Sequence, residues 1–194
     1  MSNRINMKPG NMLYPLPVVL VSCGITEDTH NIITIAWAGT VNTNPPMLSI
    51  SVRPERYSYG IIKESNEFVV NLPLASMAGE VDFCGVKSGK QVDKFKHCRF
   101  EKTTSQIVRV PSIEQCPVSI ECVVEKEIEL GSHSMFIANV VAVSAWEEIL
   151  NKKTNALELG NLSLLTYSHG GYYVTGKRIG HFGFSVKKSV KKNK

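Results

Sequence analysis

Residues 31–73 read NIITIAWAGTVNTNPPMLSISVRPERYSYGIIKESNEFVVNLP, and the architecture is decided here. Residues 32–41 alternate imperfectly between apolar and small or polar side chains and are rich in β-branched residues, which predicts a strand. The corner Asn42-Thr43-Asn44-Pro45-Pro46 ends it, because proline restricts both itself and the residue before it. Residues 47–52 supply the partner strand. Residues 57–65, YSYGIIKES, predict a short helix despite Gly60, with Ser58 placed to cap its first turn. Residues 67–72 return as a strand stopped by Pro73. Between the second strand and the helix runs a loop carrying Arg53, Arg56 and Ser58. A helix N-terminus offers unpaired N–H groups and positive dipole, and the guanidinium fork matches phosphate oxygens. The segment predicts a phosphorylated small molecule resting against a sheet.

Working outward, residues 18–23 form a β-branched run bounded by prolines and Gly24, another strand. Residues 75–84 predict a second helix ended by Gly85. Residues 86–100 (VKSGKQVDKFKHCRF) are polar and basic and read as loop with a short helical turn. Residues 118–130 alternate apolar and polar side chains over many positions, the clearest amphipathic strand of the chain. A turn at Gly131-Ser132-His133 leads into a long strand over 134–146, so the two form a hairpin. Residues 162–167 give one more strand, with Tyr167 read as a core residue, and the remaining chain is loop-rich. Six or seven strands, hairpins and two or three short helices favour a closed or split β-barrel over a doubly wound sheet.

The 194 residues suffice for one domain with a full core. The expected division is a single domain over 1–186 and a basic tail over 187–194. That tail, KKSVKKNK, holds five lysines, and setting them aside leaves 17 basic against 17 acidic residues, so the tail alone carries the net charge of +5. A terminal lysine run is a solvated tail, and no RNA-binding aromatic motif or helix-turn-helix pattern accompanies it. Neither a nucleic-acid partner nor a membrane is expected, since no apolar run approaches the roughly 18 residues a span needs. The short apolar patch near the N-terminus, interrupted by Pro15 and Pro17, reads as an entry strand and not a signal peptide. Five cysteines without a C-x-x-C pair and five scattered histidines predict free thiols, no metal and a cytoplasmic location.

The order and spacing of the opening block, then SGKQVDKF at 88–95, then GSHSMFIANVV at 131–141, resemble the flavin reductase-like family, and within it the flavoredoxin branch. The likeness covers residues 13–184. It implies a mainly β fold, an FMN-binding split barrel with a few short helices that pairs into homodimers. By this resemblance Asn31, Thr34, Trp37 and Thr40 stand where the family lays strand residues along the isoalloxazine and ribityl groups. Arg53, Arg56 and Ser58 stand where it holds the FMN phosphate. Lys94 stands at a family lysine near the cofactor, and His133 in a turn that reaches the flavin. The chain departs from relatives at Ala138-Asn139, where Gly-Glu is common, and at Ser132.

The implied function is that of an oxidoreductase, a flavoprotein passing electrons from NAD(P)H through non-covalently bound FMN to flavin, ferric or other acceptors. The alternative is a flavoredoxin-type electron-transfer protein, served by a redox partner protein and having little NAD(P)H activity. A β-barrel interaction module without cofactor is a further reading. No G-x-G-x-x-G follows a strand, so a Rossmann nicotinamide site is not indicated. No nucleophile–base pair stands out, and the catalytic residues stay unassigned.

Overall fold

The computed structural model describes residues 3–186; the basic tail at 187–194 lies outside them. Strands β1 (Leu16–Pro17), β2 (Val19–Cys23), β3 (Asn31–Ile35), β4 (Ala38–Asn42) and β5 (Met47–Val52) lead into helix α1 (Tyr57–Ser65) and strand β6 (Glu67–Leu72). Helices α2 (Ala78–Val86) and α3 (Lys94–Cys98) follow, then the short pair β7 (Lys102–Thr103) and β8 (Ser112–Ile113). The long strands β9 (Val118–Glu129) and β10 (Ser134–Ala145) form a hairpin, and β11 (Leu165–Ser168) and β12 (Gly171–Val174) are the last strands among the described residues.

Seven strands make one antiparallel sheet in the order β3-β2-β6-β9-β10-β5-β4. Its two edge strands, β3 and β4, are consecutive in the chain, separated only by a bend at Ala36 and Trp37. The sheet therefore curls until its edges meet at that bend, where the Ser51 N–H donates to the Trp37 carbonyl at 2.8 Å. This is a split barrel. The continuous strand expected over 32–41 is corrected here: closing the barrel forces a break at Trp37, a demand that local sequence does not carry.

Alternation along each strand sorts the side chains. Val21, Ile50, Phe68 and Phe136 pack inside the barrel, while Leu20, Ile32, Val81, Phe95 and Ile113 form a second core between the sheet's outer face and α2 and α3. Strands β2 and β6 are thus buried on both faces. Gly24 ends β2 at φ +93, where a Cβ would stand 2.2 Å from the Thr29 carbonyl oxygen, so only glycine fits the turn into β3.

Helix α1 and strand β6 have the bounds the sequence predicts, but Ser58 does not cap α1. Arg56 occupies the N-cap and no side chain caps the helix, the Ser58 hydroxyl being turned inward to Asn31. Helix α2 runs past Gly85 to Val86 and is preceded by a 3-10 turn at Ala75–Met77. The last predicted strand is shifted to Leu165–Ser168 and pairs with β12 and β1, a small three-stranded sheet of which only β12 falls where loop was expected.

Candidate functional site: a cationic pocket beside the barrel split

The bend between β3 and β4 opens onto a cleft of about 450 Å³. Its floor is the chain from Ile33 to Trp37, in which β3 up to Ile35 is an edge strand of the sheet, and such an edge presents unpaired N–H and C=O groups. Trp37 packs against His133, from the β9–β10 turn, with ring centroids 4.2 Å apart and the planes tilted by 37°. Tyr167 and Tyr172 line the same cleft.

A smaller pocket of about 130 Å³ adjoins it, sharing Ile33, Glu55 and Arg56 as a common wall. Asn31, Tyr57, Ser58, Lys87, Ser88, Gly89 and Lys94 complete the lining. Asn31 is buried at the start of β3 and its Nδ2 donates to Ser58 Oγ at 2.9 Å, which leaves the Ser58 proton unused by that bond. Gly89 lies against Asn31: a Cβ there would stand 2.2 Å from Asn31 Oδ1. One guanidinium nitrogen of Arg56 donates to the Gly85 carbonyl, fixing the fork between the two cavities.

Lys94 owes its place to the Asp93-Lys94-Phe95 triplet. Asp93 caps α3, accepting from the Lys96 N–H at 3.1 Å, and Phe95 enters the core. Lys94 between them is directed inward and only 3% exposed. Its Nζ donates to the carbonyls of Ile32 (2.6 Å) and Cys84 (2.8 Å). An ammonium has three donors, so one remains for the pocket. Burial pushes the Lys94 pKa below its ordinary value, and the Arg56 charge adds to the effect.

The structure brings Asn31, Arg56, Ser58 and Lys94 to the small pocket, and Thr34, Trp37, Arg53, Arg56 and His133 to the cleft. Thr34 also ties β3 to α2, its hydroxyl donating to the Val81 carbonyl. Arg53 stands at the cleft only, its half-exposed side chain 3.4 Å from Glu55. Thr40 belongs to neither. It lies on β4 in an adjoining groove of about 720 Å³ that shares Trp37 and Ser51 with the cleft and is roofed by the N-terminal residues from Gly10 to Leu16. Lys87, Ser88 and Gly89 were not singled out from the sequence, although the Ser-Gly dipeptide after a helix was the available signal. Tyr167, read as core, reaches the cleft.

Burial lowers the His133 pKa below its ordinary 6.5, and the Arg53 charge acts in the same direction. Its imidazole is neutral at pH 7, with Nδ1 3.0 Å from Ser132 Oγ. An NMR titration of the His133 ring is expected to give a midpoint below 6.5. Since the folded value is the depressed one, stability is present above 6.5 and a little is lost as pH falls through the folded midpoint. A midpoint at or above 6.5 would refute the assignment.

The chain belongs to the flavin reductase like domain family, which matches residues 11–176. A protein from Archaeoglobus fulgidus is 33% identical over 132 residues, covering 68% of this chain and 73% of that protein. Among solved structures, the flavoredoxin of Desulfovibrio vulgaris (Miyazaki F) superposes with a TM-score of 0.87 at 25% identity, covering 96% of this chain and 100% of its own. Flavoredoxin from Methanosarcina acetivorans gives 0.86 at 26% identity with the same coverage. The likeness to flavoredoxins agrees with the reading of the three sequence blocks.

Proposed function

We propose that this protein holds FMN non-covalently and passes electrons from NAD(P)H through it to flavin, ferric or other acceptors. One observation carries the reading: a small pocket walled by Arg56, Lys87 and Lys94 opens into a larger cleft floored by a free sheet edge and flanked by aromatic rings. The first suits a phosphate dianion and the second a flat, polar-edged ring system. The fit includes the unspent donor of Lys94, which is buried and lines the small pocket. When bound, the flavin supplies the redox chemistry. The chain supplies the rest: Arg56, Ser58 and Lys94 hold the phosphate, backbone groups from Ile33 to Trp37 orient the ring, and neutral His133 offers a hydrogen bond at the cleft.

The structural likeness to two flavoredoxins favours a second reading, an electron carrier supplied by a redox partner protein and slow with nicotinamides. Stopped-flow mixing of the FMN-loaded protein with NADH and NADPH separates the two. Rapid bleaching of the flavin band supports the enzyme; bleaching by dithionite alone supports the carrier. Purified protein that shows no flavin band after FMN supplementation removes both.

A homodimer belongs to the same proposal. Ile179 and Phe182 are almost wholly exposed and Phe184 is 57% exposed, a run of large apolar side chains that a second copy would cover. Sedimentation as a monomer at micromolar concentration would exclude it. Among the described residues no helix is long and apolar enough to cross a membrane, and the cytoplasm is the proposed location.

A further inference from the structure

Behind the small pocket, α2 and α3 hold two free thiols face to face. Cys84 Sγ and Cys98 Sγ are 3.8 Å apart, and neither is in a disulfide. One residue before each cysteine, Phe83 and His97 stack with ring centroids 3.9 Å apart and planes 5° from parallel. The stack fixes the register of the two helices, so the facing sulfurs follow from packing. Cys84 is fully buried. Cys98 is partly exposed and borders a surface pocket of about 360 Å³, distinct from the flavin cleft, whose other walls include Glu80, His97 and Arg99. The other cysteines, Cys23, Cys116 and Cys122, are buried, and no sulfur–sulfur contact of theirs occurs among the described residues.

We infer that Cys84 and Cys98 form a redox-active dithiol that exchanges with low-molecular-weight disulfides entering the Cys98 pocket. Cys98 is the only one of the two sulfurs with access from outside, so it is the attacking thiol and Cys84 the resolving one. The Cys98 thiolate attacks one sulfur of the small disulfide RSSR. The S–S bond breaks, one RS⁻ leaves and takes up the proton Cys98 lost, and a mixed disulfide remains. The Cys84 thiolate then attacks Cys98 Sγ and expels the second RS⁻, which takes up the Cys84 proton. In sum, two cysteine thiols are oxidised to one disulfide and RSSR is reduced to two RSH. The sulfurs must close from 3.8 Å to a bond of about 2.05 Å, a movement that a side-chain adjustment on two short helices can provide. Glu80 and Arg99 put both signs of charge at the pocket wall, which matches a zwitterionic disulfide of the glutathione type. Burial pushes both thiols above their ordinary pKa, with the Glu80 charge acting in the same sense and Lys94 opposing it. The pair therefore rests as a neutral dithiol and is not a standing thiolate.

The test uses the full chain and oxidised glutathione at mildly alkaline pH, followed by thiol counting in denaturant, intact mass and peptide mapping. Free thiols are expected to fall from the five of the sequence to three. The mass should drop by two hydrogens, the map should join Cys84 to Cys98, and dithiothreitol should restore all five. In Cys84→Ala, one glutathionyl adduct should persist on Cys98. In Cys98→Ser, the four remaining thiols should survive. Wild-type protein that keeps all five thiols, stops at a stable mixed disulfide, or joins another pair would overturn the inference. If Cys84→Ala does not fold, the wild type and Cys98→Ser still decide it.

Discussion

A Lys94→Met substitution is expected to weaken FMN binding by about a hundredfold, given about 1.5–3 kcal/mol for a hydrogen bond to a charged group and tenfold per 1.4 kcal/mol. The same change should leave the stability of the FMN-free fold nearly unaltered. Lys94 is only 3% exposed, and its two protein partners are neutral carbonyls, at 2.6 and 2.8 Å. A buried cation without a countercharge is costly to desolvate. Methionine keeps the length and the apolar stem, removes that cost and removes the two hydrogen bonds, and these changes largely offset each other in the free protein. They do not offset once a phosphate dianion occupies the pocket, because the anion then keeps only Arg56 and Lys87 as cations, beside the Ser58 hydroxyl. Fluorescence titration with FMN and thermal unfolding of the cofactor-free protein measure the two quantities separately. An unchanged Kd would show that the lysine serves only to tie β3 to α2.

The pH dependence has a defined sign. Folding lowers the Lys94 pKa below 10.5, so the unfolded chain holds more protons in the interval just below 10.5, and this lysine's unfavourable contribution shrinks as pH rises through its folded value. A bound phosphate raises that value again. FMN binding then takes up a proton in the same interval, and affinity should fall as pH rises through it. The methionine variant should lose this slope.

The quoted segment could be read from sequence because its signals are local. The NTNPP corner, the YSYGIIKES helix and the EFVVNL strand each depend on residues a few positions apart, and α1 and β6 have the predicted bounds. What sequence could not show depends on distant pairings. The break at Trp37 exists because β5 reaches across to bond its carbonyl. Ser58 is turned inward to Asn31, 27 residues away. Lys94 stands among surface-type residues in the sequence, and only the docking of α3 against β3 buries it. Thr40 was placed by the resemblance on the same strand as Thr34. The bend turns it into a different groove. For the same reason Lys87–Gly89, an unremarkable polar loop in the sequence, becomes a pocket wall once α2 and α3 pack.

Strand β9 gives the most instructive case, and it leads to the largest expected effect on stability. Its alternation predicts polar residues facing water, yet Ser119 and Glu121 are buried beneath the chain from 105 to 113. Glu121 Oε1 accepts the Gln106 N–H at 2.7 Å, and Oε2 accepts those of Ile107 (2.7 Å) and Val108 (3.1 Å). The carboxylate anchors this segment so that Val108 and Val110 can pack on Val69. Glu121→Ala strands three donors, that of Val108 buried and those of Gln106 and Ile107 part-buried, at about 1–3 kcal/mol each, partly rehydrated, so a loss of about 3–5 kcal/mol is expected. Glu121→Gln keeps the shape and one acceptor oxygen but turns an amide N–H₂ against a backbone N–H, and should cost roughly half as much. Urea denaturation measures both. An alanine variant within about 1 kcal/mol of the parent would mean that valine packing alone holds the segment. FMN affinity should stay unchanged in both variants, because Glu121 lines neither cavity. Lys94 and Glu121 thus make opposite demands: one substitution should move Kd with little change in unfolding, the other the reverse. If both moved both quantities, the separation between the cationic pocket at the barrel split and the anchor behind β9 would be wrong.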